Sequence, residues 1–189
     1  DNTLYDKSLI SIKKAIRIDP NNAMAHKYYG DYHMVQGRND EAISHYQIAS
    51  ELNPSKPDIR VSIGWHKVNL GDWENGIKEV REGVAMSYRP PAYFHIPLAV
   101  DAFRQNKFEE SLKEAEIIYE SGDKRGITLS LAAAIKLNRP SLIKRYTKAY
   151  TDYRKDDLSE PFREVSNVLK TPKVLKHYAE TLKPILEKL

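Results

Sequence analysis

The chain has no cysteine among its 189 residues. That excludes disulfides, thiolate metal sites and cysteine nucleophiles. It suits a reducing compartment, and the cytoplasm is the expected location. Long apolar runs are also missing. No stretch approaches the roughly 18–20 apolar residues that a membrane-spanning helix needs. Glycine is sparse, with 8 residues, and none lies in a phosphate-cradling, dinucleotide-binding or nucleophile-elbow pattern. No paired-carboxylate motif is present either. These absences leave no catalytic constellation, and no enzyme activity or cofactor is expected of this segment.

Charge is nearly balanced. The net charge is +4, and the surplus sits in the last quarter, where Arg139 to Leu189 carries 12 Lys/Arg against 7 Asp/Glu. Interleaved acids make this a solvated face more than a polyanion platform, so nucleic acid is disfavoured as a partner. The residues for that minor reading are Lys144, Arg145, Lys148 and Arg154. Six histidines raise the question of a metal. His26 and His33 share a helix face but stand about 10 Å apart along the axis. One ion cannot bridge them, so no metal site is expected.

What is present is repetition. Asp19-Pro20-Asn21-Asn22 recurs as Asn53-Pro54-Ser55-Lys56, thirty-four positions on, and Ala15 and Ala49 each stand five residues before the proline. Gln36-Gly37-Arg38-Asn39-Asp40-Glu41-Ala42-Ile43 matches Leu70-Gly71-Asp72-Trp73-Glu74-Asn75-Gly76-Ile77. It matches again at Gln105-Asn106-Lys107-Phe108-Glu109-Glu110-Ser111-Leu112, and in degenerate form at Leu137-Asn138-Arg139-Pro140. Each match is a helix ending on Gly or Asn, residues that tolerate the left-handed conformation of a helix C-terminus. Small residues then fall in phase: Gly30, Gly64 and Ala99 on first helices, and Ala42, Gly76 and Ser111 on second helices. Helices approach closely only where side chains are small. Ala49 and Gly83 are expected where a second helix meets the next unit. A fixed period of this kind marks stacked helical pairs, which bind through extended surfaces.

The pattern resembles the tetratricopeptide repeat (TPR). The fullest copy is Tyr29-Gly30, Ala42, Tyr46, Ala49 and Pro54, followed by the looser Ile63-Gly64, Gly76, Val80, Gly83 and then Leu98-Ala99, Ser111, Ala115. The resemblance implies an all-α, right-handed superhelical solenoid of antiparallel helix pairs. It divides the chain into a half repeat at 1–20, repeats at 21–54, 55–90 and 91–122, a degenerate one at 123–157, and a divergent capping segment at 158–189. Leu9 to Ile18 reads as the second helix of a repeat whose first helix is missing. With no initiator Met or signal pattern at Asp1-Asn2-Thr3-Leu4-Tyr5, the chain is expected to be cut from a multidomain protein.

Tyr93 to Arg104 (YFHIPLAVDAFR) also resembles the penultimate repeat of TPR regions that end bacterial signalling proteins. Those proteins carry a nucleotide cyclase or winged-helix domain. Pro161-Phe162, Leu169, Thr171-Pro172, Leu175, Tyr178, Leu182 and Ile185-Leu186 resemble their terminal cap. The resemblance implies a protein or peptide partner on a concave face lined by first helices. The partner-binding residues it selects are Lys27, Asp31, Met34, Trp65, Asn69, Tyr93 and Arg104, with Trp65, Tyr93 and Phe103 as an aromatic anchor. TPR clamps for chaperone tails place Lys and Asn in the groove. Here the positions hold Lys27, Asp31, Val61, Trp65, Ile96 and Val100, so no such clamp is expected. The alternative reading is a homodimerisation module that brings two copies of missing domains together.

Overall fold

A computed structural model describes residues 2–154 and 171–187, with side chains from residue 7 onward. Every assigned element among them is helical. The chain divides into two compact units, 1–68 with 74–88 and 69–73 with 89–189.

The first unit holds α1 (Asn2–Ile18), α2 (Ala23–Val35), α3 (Asn39–Leu52) and most of α4 (Pro57–Asn69) and α5 (Trp73–Ala85). Each pair closes where the sequence places its small residues. A Cβ on Gly30 would stand 2.7 Å from the Tyr46 ring. One on Gly64 would stand 2.6 Å from the Gly76 carbonyl oxygen. Ion pairs flank the α4–α5 crossing, with Arg60 on Glu79 at 3.1 Å and on Glu82, and Lys67 on Glu79 at 3.1 Å. Gly83 departs from its expected place. Its Cβ would meet Val61 Cγ2 at 2.6 Å and the Pro57 carbonyl at 3.1 Å. It therefore serves the crossing with α4 of its own pair, because two antiparallel helices touch along several turns and need small residues at both ends.

The second unit begins with a 3-10 turn (Ala92–His95), which runs into α6 (Ile96–Arg104) with Pro97 at its start. Phe94 is fully buried in that turn, and His95 Nδ1 lies 2.6 Å from Glu114 Oε2 of α7 (Phe108–Glu120). Helix α8 (Arg125–Lys136), buried from Gly126 to Ala134, follows, then α9 (Pro140–Tyr153). Ser111 Oγ donates to the Ala99 carbonyl at 2.8 Å, so the small pair on α6 and α7 meets as the spacing requires.

Four helix ends expected to turn left-handed do so, at Gly37 (φ 72°), Gly71 (φ 93°), Asn106 (φ 60°) and Asn138 (φ 50°). Three show the paired closing bonds of a Schellman motif. Arg38 N donates to His33 O, Lys107 N to Ala102 O and Arg139 N to Ala134 O, each beside a shorter-range bond from the preceding residue.

Helix α10 (Pro172–Leu186) is amphipathic in the expected register. Val174, Tyr178 and Leu182 are buried, while Lys176, Glu180, Lys183 and Glu187 face outward. It packs on α8 and reaches α6. The Tyr178 ring stacks on Phe103 at 4.0 Å and 14°. The other residues read as a cap, Pro161-Phe162 and Leu169, lie outside the described residues.

Candidate functional site

The first-helix positions selected from the sequence separate by burial. Lys27, Met34 and Trp65 are 4%, 8% and 9% exposed. That corrects the expectation that they stand open in a groove. Lys27 lies against Asp31, 2.7 Å from Oδ2. The Met34 sulfur lies 3.8 Å from the Tyr46 hydroxyl oxygen. Trp65 lies on a helix with seven of thirteen residues buried, including Val61, Ser62, His66 and Val68 around it. Asp31 is half-buried and accepts the Tyr46 hydroxyl at 2.8 Å. A peptide carboxylate seeking Lys27 would have to compete with Asp31.

In the second unit, Asn69 and Tyr93 are half-buried and Arg104 is exposed. Arg104 stacks over Trp73 at 4.4 Å and donates to Asp101 Oδ1 at 2.6 Å, so the guanidinium is pre-oriented. Phe103 does not join Trp65 and Tyr93 as an anchor. It is fully buried under the chain's own α10, between Tyr178, His177 and Phe108. The minor basic reading loses Arg154, which is 4% exposed, and Lys148, which pairs with Asp152 at 2.5 Å.

The open concavity in the first unit lies between α1 and α2. It measures about 510 Å³ and is lined by Lys7, Ser8, Ser11 and Ile12 on α1 and by Tyr28, Asp31, Tyr32 and Val35 on α2. Its walls are apolar, with a cation and an anion at the rim. Tyr28 is 50% exposed there. Ser8, Ile12 and Ala15 stand thirty-four positions before Ala42, Tyr46 and Ala49. The later three are 0%, 2% and 0% exposed. Ser8 is exposed, and Ile12 and Ala15 are only half-buried.

Behind this wall, α2 and α3 bring three histidines together with Tyr29. The His33 and His45 rings are near parallel at 10° with centroids 5.6 Å apart, and His26 is 5.3 Å from His45. Tyr29 packs on both His33 and His45, at 4.5 and 4.4 Å. Burial first, then the neighbouring His26 and His33, hold His45 below the ordinary imidazole value. Burial and then Arg38 lower His33, and burial lowers His66. Folded imidazoles with lowered values bind protons less readily than unfolded ones. Stability is therefore intact above the unfolded value of about 6.5 and is lost as pH falls from there through the folded values. The melting temperature should be lower at pH 5.5 than at pH 7.5, and His33→Gln should shrink the difference. An unchanged melting temperature across that range would place the histidines in water.

No family model matches the chain. It is 38% identical over 76 residues to anaphase-promoting complex subunit 3 of Schizosaccharomyces pombe. That match covers 40% of this chain, and the chain spans only 11% of that relative. Two solved structures share the fold. PilW, a widely conserved type IV pilus biogenesis factor, superposes over 95% of this chain and 85% of its own, with a TM-score of 0.63 and 18% identity. YrrB, a TPR protein with an unusual peptide-binding site, superposes over 94% of this chain and 98% of its own, with a TM-score of 0.59 and 12% identity. The chain thus has a TPR-like, all-helical solenoid fold. No helix among the described residues is long and apolar enough to cross a membrane.

Proposed function

We propose that the chain is a protein-interaction module that seats an amphipathic helix of a partner between α1 and α2. One observation carries this reading: the concavity between α1 and α2 is about 510 Å³ and is walled by Ile12, Tyr28, Tyr32 and Val35, with Lys7 and Asp31 among its lining residues. The occupant that fits is an amphipathic helix. It needs a small residue facing Ser8, apolar residues against Ile12 and Tyr28, and a charged residue for the rim at Lys7 or Asp31. YrrB, which shares this fold, has a peptide-binding site, and that supports a peptide as the ligand class. Asp31 is the residue that this groove shares with the one read from the sequence.

The resemblance of Tyr93–Arg104 supports a wider setting as well. In it the module is the regulatory part of a larger bacterial signalling or transcription protein in the cytoplasm, and its ligand reports to domains elsewhere in that protein.

The test is a nuclear magnetic resonance titration with an amphipathic helical peptide carrying glycine at its centre. Shifts at Ile12, Tyr28 and Tyr32 are expected, and Ser8→Leu, which fills the seat, should weaken binding about tenfold or more. Shifts confined to Tyr93 and Arg104 would move the site to the second unit. Concentration-dependent self-association that Ser8→Leu abolishes would give the seat to a second copy of this chain.

A further inference from the structure

The histidine cluster contains a feature that helix packing does not require. His26 Nε2 lies 3.0 Å from the Pro20 carbonyl oxygen. A carbonyl only accepts, so Nε2 carries the proton of the neutral ring, and Nδ1 keeps a bare lone pair. That lone pair accepts a hydrogen bond from His45 Nδ1–H, also at 3.0 Å. Two imidazole nitrogens have therefore been brought together from two helices, and one of them has its tautomer fixed by a backbone carbonyl. This is the outer support that metal-bound histidines ordinarily have.

The spacing suits an ion. With metal–nitrogen bonds of roughly 2.0–2.1 Å, adjacent ligands of a four-coordinate ion stand about 2.9–3.4 Å apart. Each lone pair must swing by roughly 45° off the line between the two nitrogens for both to meet at one ion. His26 is buried, and half-buried His45 leaves the pair a way to solvent. The His33 ring runs parallel to His45 with centroids 5.6 Å apart, and Tyr29 packs on both rings at 4.5 and 4.4 Å and steadies them. Among the described residues no three His, Asp or Glu side chains converge on one ion, so water fills the other positions.

We propose that His26 and His45 form a two-histidine site for a late first-row divalent cation of the Ni2+, Cu2+ and Zn2+ class, which clips α2 to α3. All-nitrogen ligation selects this class over Mg2+ and Ca2+, which prefer oxygen. On binding, His45 loses its Nδ1 proton and takes one from water at Nε2, so both rings stay neutral and the ion keeps its full charge. Because the two ligands come from different helices, the site exists only in the folded pair, and the ion stabilises that pair by mass action.

The experiment uses the whole chain, free of any polyhistidine tag, at pH 7.5. Ni2+ and Zn2+ are titrated by calorimetry, and histidine ring nitrogens are followed by resonance, with Mg2+ as the control ion. One saturable site is expected, with shifts at the His26 and His45 nitrogens, a melting temperature raised by a few degrees in excess Ni2+, and no response to Mg2+. His45→Asn should weaken binding by at least about tenfold, since even an outer-shell change costs that much, and His177→Asn should not. Ring-nitrogen shifts at other histidines, an affinity unchanged in His45→Asn, or no saturable binding would overturn the proposal. The wild-type ring shifts decide the matter even if His45→Asn folds poorly.

Discussion

Gly64→Leu is expected to lower the melting temperature by roughly 10 °C. Even a methyl group at this position would lie 2.6 Å from the Gly76 carbonyl oxygen and 2.8 Å from Val80 Cγ2. The reverse view is as tight, since a Cβ on Gly76 would stand 2.7 Å from the Gly64 oxygen and 2.8 Å from Val68 Cγ2. Backbone oxygens cannot rotate aside as a long side chain can, so α4 and α5 must separate. Overpacking of this kind costs about 3 kcal/mol, and each kcal/mol is worth roughly 2–4 °C in a chain of this size. Gly71→Ala provides the contrast. Nothing lies within 4 Å of its added methyl, and only the φ of 93° resists it. That conformational term is about 1–2 kcal/mol, so its effect should be the smaller. Repeat arrays can melt in parts, so amide exchange in α4 and α5 is the second readout. A Gly64→Leu protein that melts with the wild type and keeps those amides protected would refute the crossing.

Tyr178→Ala should release α10. The ring is fully buried and stacked on an equally buried Phe103, with His177 4.7 Å from the same phenyl. Removing a buried aromatic costs about 3–5 kcal/mol. Helix α10 has few other anchors, chiefly Val174 and Leu182. Its attachment is to α8 and α6, so the loss should appear as undocking of one helix and not as collapse of the unit. Exchange protection in Pro172–Leu186 should vanish while α7 and α8 keep theirs, and a dye that binds apolar surface should report the uncovered Phe103. Tyr178→Phe keeps the stack and should keep the protection. If α10 stays protected in Tyr178→Ala, the aromatic stack is not what holds it.

Repeat spacing reads partners inside a hairpin well. Gly64 with Gly76, and Ala99 with Ser111, meet as their period requires, because a short turn of fixed geometry sets one helix against the next. Glycine and asparagine at the helix ends were legible for the same local reason. Solvent access was not legible, because it depends on whatever third element lies over a position. Trp65 and Phe103 occupy first-helix positions that a groove could use, yet one is on a mostly buried helix and the other lies under α10. The Phe103–Tyr178 contact joins residues far apart in sequence, and no period links them. The candidate seat was half legible. Ile12 falls in the stretch read as a second helix of a repeat, but Tyr28 and Tyr32, which complete the wall, carry no mark of it in their spacing. The His26–His45 approach is invisible along one helix, since the spacing there points from His26 to His33. A histidine on each helix of one hairpin was the signal to weigh.

The Schellman closures at Gly37, Asn106 and Asn138 have a mechanical consequence. Each turn is tied by two backbone bonds to the helix it ends, so the joint inside a hairpin has almost no slack. Compliance must reside in the other class of connection, such as Asn53–Lys56, which a single backbone bond spans. Under tension the chain should yield in hairpin-sized steps, each pair of helices peeling away together before either one unwinds.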